Sequence, residues 1–115
     1  MKVIPKSGPV DATVTAPPSK SYSVRALLLA AMAERTTTVT NCLDADDTRY
    51  AFEALRAVGY DVSGSFQREL FIGPRKMMSA NEVPIFIGNA GTAMRFFTGW
   101  LAFTPGRFLL HGEER

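Results

Sequence analysis

From Ser21 onward the chain becomes amphipathic at helical spacing, with Leu27, Leu28, Ala31 and Met32 recurring along one side. Pro17-Pro18-Ser19 just ahead cannot continue a helix but can precede one, and Ser19 suits the N-cap, so the pattern predicts a helix running to about Glu34. Thr36 to Asn41 is short and β-branched, which predicts a strand. Leu43-Asp44-Ala45-Asp46-Asp47-Thr48 opens a second helix with acids in its first turn; Ala51, Leu55 and Val58 keep the period and Gly59 stops it. Asp61 to Ser65 and Glu69 to Ile72 pair as a hairpin around Ser65 to Arg68. Gly73 to Val83 reads as irregular, Pro84 to Ile87 as a buried strand, and Thr92 to Phe103 as a third helix carrying Phe96, Phe97, Trp100 and Leu101. Thr104-Pro105-Gly106 is a turn before a last strand at Arg107 to Leu110. Ahead of all this, Lys2 to Val14 is extended chain broken at Ser7-Gly8-Pro9, giving two short strands or a strand and a crossover. The predicted order is helix, strand, helix, strand, strand, then strand, helix, strand: α/β character with mixed sheets.

Composition narrows the function classes. A chain of 115 residues with 46% hydrophobic and 21% charged positions is one globular domain or part of one. A net charge of +2, with its basic residues scattered, argues against nucleic acid or a membrane surface as partner. No signal peptide or spanning apolar run is visible, and the lone Cys42 excludes an internal disulfide; both fit a cytoplasmic protein. His111 is also alone and reads as structural or solvent-exposed.

Two stretches carry candidate chemistry. Lys20 and Ser21 sit where the first helix begins, beside backbone N–H groups with no partner inside the helix, and Arg25 follows one turn later on the same side. A compact cation, hydroxyl donors, a planar guanidinium and the helix dipole together suit a phosphate or carboxylate. Ile87-Gly88-Asn89-Ala90-Gly91-Thr92-Ala93-Met94-Arg95 repeats the logic: strand, glycine-containing turn, helix start with a hydroxyl, and an arginine one turn in. Here Gly91 would let a ligand approach the backbone, and Asn89 or Thr92 can cap or donate. No Gly-Lys-Ser/Thr follows, so it is not a P-loop, and the third glycine of a dinucleotide fingerprint is missing. The plain alternative for both stretches is an ordinary capped helix with solvated cations. Asp44, Asp46 and Asp47 read as first-turn acids, because a DDxxD metal–diphosphate motif would need an acid where Tyr50 stands; a second option is that one of them pairs with a cation of the anion site.

Taken together, residues 17–34 (PPSKSYSVRALLLAAMAE), 41–59 (NCLDADDTRYAFEALRAVG), 86–103 (FIGNAGTAMRFFTGWLAF) and 109–115 (LLHGEER) resemble the EPSP synthase (3-phosphoshikimate 1-carboxyvinyltransferase) family. The sibling transferase acting on UDP-N-acetylglucosamine carries a Lys-Asn pair at the first site, so Lys20-Ser21 points away from it. The resemblance implies βαβαββ units of the enolpyruvyl transferase (inside-out α/β barrel) fold, here incomplete. Residues 1–16 would be crossover strands belonging to the hinge or other domain, and residues 17–115 the first unit and the start of the next. It also implies transfer of the enolpyruvyl group of phosphoenolpyruvate to the 5-hydroxyl of shikimate 3-phosphate, with release of phosphate and no metal or organic cofactor. Carried over residue by residue, Lys20 would be catalytic and would contact both substrates, Ser21 and Arg25 would hold shikimate 3-phosphate, and Gly91 would meet phosphoenolpyruvate through its backbone. Asp47, Asn89, Thr92 and Arg95 would line the cleft.

Two positions depart from the family pattern: Val24 stands where Asn is common, and Phe96 where many members have Pro. Family members are also much longer, with two domains of three units each. The expectation is therefore a fragment that lacks turnover alone, from a full-length enzyme that is monomeric; exposed sheet edges in the shortened chain favour self-association. Two other readings stay open: a stand-alone anion-binding module without chemistry, and a structural piece that folds by pairing with another copy.

Overall fold

The computed structural model describes residues 2, 3, 5, 6, 8–33, 35–76 and 82–114. Its elements follow the predicted order: α1 (Lys20–Met32), β1 (Thr37–Thr40), α2 (Asp46–Ala57), β2 (Tyr60–Gly64), β3 (Glu69–Arg75), β4 (Glu82–Phe86), α3 (Gly91–Leu101) and β5 (Arg107–His111). Among the described residues no helix is long and apolar enough to cross a membrane.

The strands form an antiparallel sheet in the order β1-β3-β2 and a separate parallel pair, β4-β5. Parallel and antiparallel pairing is thus divided between two sheets rather than mixed within one. The chain connections dictate this: β2 reaches β3 by a hairpin, which forces antiparallel pairing, whereas β4 reaches β5 through the α3 crossover, which forces parallel pairing. The hairpin closes at Gly64, whose φ of 102° and distance of 2.1 Å from a built Cβ to the Glu69 carbonyl oxygen admit only glycine.

Alternation along the strands sets the core. Val39, Val62, Leu70 and Ile72 are buried, while Thr38, Thr40, Ser63 and Phe71 between them are exposed. The buried face is covered by α1 through Leu27, Leu28 and Ala31, and by α2 through Ala51, Phe52, Leu55 and Val58. Ile85 and Ile87 meet Ala93, Phe97 and Leu101 of α3 in the same core. Contacts of α2 with β4 and α3 join the two parts. The result is a mixed α/β fold.

Several boundaries differ from the sequence expectation. The first helix ends at Met32, with Ala33 already extended, and Glu34 lies outside the described residues. The third starts at Gly91 and ends at Leu101, where Thr104 Oγ1 donates to the Trp100 carbonyl and closes the turn. Residues 73–75, expected to be irregular, continue β3, and residues 82–83 begin β4; residues 77–81, between them, are outside the described set. Arg75 explains the longer strand: its Nε donates to the Val58 carbonyl at 2.9 Å, its Nη2 to the Pro105 carbonyl at 2.8 Å, and its guanidinium lies over Phe108. The described residues ahead of Lys20 form no strand, because no described strand lies alongside to complete a ladder with them.

Candidate functional site

Ser19 caps α1 by accepting from the Tyr22 N–H, and the extended backbone of Ser19 delivers Lys20 as the first helical residue. One turn on, Ser23 is buried; its hydroxyl donates to the Ser19 carbonyl at 2.8 Å and accepts from the Leu43 N–H at 2.9 Å. This hydroxyl fixes the loop before α2 against the start of α1. In consequence the first turn of α2 lies beside Lys20, and Lys20 Nζ pairs with Asp47 Oδ2 at 2.9 Å. Lys20 remains half exposed, with Arg25 exposed and Ser21 partly buried. Arg25 Nη1 donates to the Ser21 carbonyl at 3.0 Å, so the guanidinium folds back toward the helix start. Val24 is fully buried, an apolar side chain in an apolar place.

The three acids separate by function. Asp44 accepts from Arg49 Nε and from Gln67 Nε2, and the Arg49 hydrogen bond holds its carboxyl below the usual carboxylate range. Asp46 and Asp47 occupy the first turn of α2, but its N-cap is Ala45, without a side-chain hydrogen bond. The local cap chemistry falls instead to the fully buried Thr48, whose Oγ1 accepts from the Ala45 N–H at 3.1 Å and lies 2.5 Å from the Leu43 carbonyl oxygen, to which it donates.

The second stretch is held from its own sheet. Ile87 N–H donates to the His111 carbonyl at 2.9 Å, extending the β4-β5 ladder into the turn, and Asn89 Nδ2 donates to Glu113 just beyond β5. Gly88 turns the chain with φ 56°. The N-cap of α3 is Ala90, with no side-chain cap, so neither Asn89 nor Thr92 takes the capping role offered to it by sequence. Gly91 and Asn89 are exposed and Thr92 is partly buried. The Arg95 Nη1 atom lies 4.0 Å from a Cβ built on Gly91, placing a guanidinium over the helix start.

Residues of α2 join the two stretches. Asp47 reaches Lys20, while Tyr50, three positions on and on the same side of the helix, packs on Gly88 and meets the Phe86 ring edge-on at 5.3 Å. Helices α1 and α3 run in the same direction: Arg25 lies on Phe96 near their starts, and Met32 and Ala33 share a cavity wall with Trp100 and Phe103 near their ends. Lys20, Ser21, Arg25, Asp47, Gly91, Thr92 and Arg95 therefore gather at one end of a parallel helix pair. Tyr50, Ser23, Thr48 and Glu113 were not singled out by sequence. In sequence Tyr50 is only the residue standing where a metal motif needs an acid; Ser23 and Glu113 reach the distant Leu43 and Asn89, and Thr48 bonds the turn just before it. His111, as expected, is exposed, its ring tilted at 58° against that of Phe86 with centroids 5.4 Å apart. Cys42 is buried, and burial pushes its thiol pKa up.

The geometry defines a mixed α/β protein of repeated strand–turn–helix units whose polar side chains converge on the helix starts. The family model described as EPSP synthase (3-phosphoshikimate 1-carboxyvinyltransferase) matches residues 4–115, and the chain belongs to that family. It is 48% identical over 109 residues to a 3-phosphoshikimate 1-carboxyvinyltransferase of Erwinia tasmaniensis, covering 92% of this chain and 26% of the relative. A protein of the same description from Burkholderia multivorans is 45% identical over 103 residues, covering 90% of this chain and 24% of that one. The solved EPSP synthase of Acinetobacter baumannii superposes with a TM-score of 0.74 at 30% identity, covering 87% of this chain and 23% of its own. The chain thus spans about a quarter of the length of the relatives it matches.

Proposed function

We propose that this chain supplies the cationic, amide-lined half of an enolpyruvyl transfer site acting on phosphoenolpyruvate and shikimate 3-phosphate in the cytoplasm. The observation that carries the reading is the shared end of α1 and α3, tied together by Asp47 on Lys20 and Tyr50 on Gly88. Both substrates are anions, and a helix start with fixed cations is where an anion is stabilised without reorganisation. Lys20 bridges the two, Ser21 and Arg25 hold shikimate 3-phosphate, and the Gly91 backbone receives phosphoenolpyruvate, with Asn89, Thr92 and Arg95 lining the cleft. Asp47 holds the Lys20 ammonium in place until an anion competes for it.

In the reaction the 5-hydroxyl oxygen of shikimate 3-phosphate bonds to the enol carbon of phosphoenolpyruvate. The hydroxyl loses its proton and the methylene carbon gains one, giving a tetrahedral intermediate. The carbon–oxygen bond to phosphate then breaks as a methyl proton is lost, restoring the enol double bond. Lys20 lowers the barrier by meeting the charge of the departing phosphate. On this reading the groups that move protons lie in the part of the longer relatives that this chain does not match, so the 115-residue chain is expected to bind but not turn over.

Calorimetric titration of the chain with shikimate 3-phosphate tests the reading. Saturable binding that falls at least about tenfold in Lys20→Met is expected, since a hydrogen-bonded charge is lost. Absence of saturable heat, or binding indifferent to Lys20, would leave only a structural piece. Phosphate release at a rate comparable with a full-length relative would overturn the assignment of proton transfer to the missing part.

A further inference from the structure

Arg25 and Phe96 occupy the same place on their respective helices, each five residues after the first. The Arg25 guanidinium carbon stands 5.0 Å from the centroid of the Phe96 ring, and Arg25 Nη1 also donates to the Ser21 carbonyl at 3.0 Å. The two contacts differ in kind. The carbonyl takes one N–H, whereas the ring attracts the charge through the negative potential of its face. A guanidinium held over a ring keeps its other N–H donors for an anion, which a salt bridge to a carboxylate would consume.

The surroundings explain why an aromatic residue suits position 96. Arg25, Leu28, Leu29 and Met32 form one stripe of α1, spaced by three and four, and face Phe96 and Trp100 of α3 across a groove of about 300 Å³. Arg25 is the charged member of that lining. Its methylene stem covers apolar surface while its head lies at the end nearest the helix starts. A proline here would offer no π face, so the contact depends on the aromatic ring of Phe96.

We propose that Phe96 is a positioning residue that sets the affinity for the phosphate-bearing substrate by holding the Arg25 guanidinium, thereby coupling α3 to the α1 half of the site. This rests on the reading that Arg25 holds shikimate 3-phosphate. The pair adds a direct link between α1 and α3 to the one that α2 makes through Asp47 and Tyr50.

Site-specific incorporation of 3,4,5-trifluorophenylalanine at position 96 keeps the shape of the ring and removes most of its negative face. Titration with shikimate 3-phosphate is expected to show a Kd raised about two- to fivefold in this variant and in Phe96→Leu, with Phe96→Tyr restoring the original value. In an Arg25→Ala background the fluorinated ring should change nothing. A proton spectrum supplies a ligand-free readout: the Arg25 δ-methylene protons should be shifted upfield by the ring and return toward ordinary values in Phe96→Leu. Fluorination without effect on Kd, equal loss in Phe96→Tyr, or the same fluorine effect without Arg25 would overturn the role of Phe96 while leaving the site reading intact. An unsubstituted chain that binds no shikimate 3-phosphate would overturn the site reading, and the role of Phe96 with it.

Discussion

Two glycines three residues apart serve opposite ends. Gly88 is required by conformation and by packing: its φ is 56°, and a Cβ there would stand 2.4 Å from Tyr50 Cε2. Gly91 has neither constraint, since its φ is outside the left-handed range and the nearest heavy atom to a built Cβ is Arg95 Nη1 at 4.0 Å. Gly88→Ala should therefore destabilise the chain by at least about 1 kcal/mol and lower its Tm, because the backbone must strain and Tyr50 must move. Gly91→Ala should keep or raise Tm, alanine being the better helix former, yet weaken phosphoenolpyruvate binding by putting a methyl where the ligand approaches the amides. Thermal melts paired with phosphoenolpyruvate titration separate the two; a Gly91→Ala chain that melts early would reverse their roles. The motif was legible in sequence, including the idea that Gly91 leaves room for a ligand. The constraint on Gly88 was not, because it arises from Tyr50, 38 positions away in the chain.

Element order was readable because apolar periodicity survives in each helix and β-branched runs mark β1 and the hairpin. Ends were read less well wherever a tertiary bond decides them: Arg75 prolongs β3 by reaching Val58 and Pro105, contacts that no window of sequence contains. Helix α2 shows the same limit. Its acids looked like caps, but Ala45 is the N-cap and the buried Thr48 hydroxyl ties residues 43–45 to the first turn. That loop also carries the amide bonded to Ser23, so the Lys20–Asp47 pair depends on it. Thr48→Val, which keeps the shape and removes the hydroxyl, should leave the part-buried Ala45 N–H without its partner and cost about 1–3 kcal/mol. Urea denaturation measures the loss, and shikimate 3-phosphate affinity should fall with it as α2 loosens from α1. A Thr48→Val chain of unchanged stability would show that the turn is held by its backbone bonds alone.

At the scale of the molecule, the radius of gyration is 17.9 Å, against about 13 Å for a compact chain of this length. The excess has a visible source. Val3, Val10 and Val14 are 78%, 79% and 84% exposed, and the described residues before Lys20 form no strand. Exposed β-branched residues spaced along extended chain are strand material without a sheet. The edges of β1 and β5 are likewise unpaired among the described residues. The chain spans about a quarter of its relatives, and we propose that this arm, residues 1–16 read as a crossover, pairs with parts of those longer proteins that this chain does not match. Lys6 lies within the arm and reports on its docking. Trypsin should cut after Lys6 rapidly in the 115-residue chain, since an exposed segment without a ladder opens at little cost. In a longer polypeptide carrying the same sequence, cleavage at that bond should slow by about an order of magnitude or more, because the arm must leave a sheet before the protease can bind it. Equal rates in the two, followed by mass spectrometry of the released peptide, would remove the crossover assignment and leave the arm as a tail.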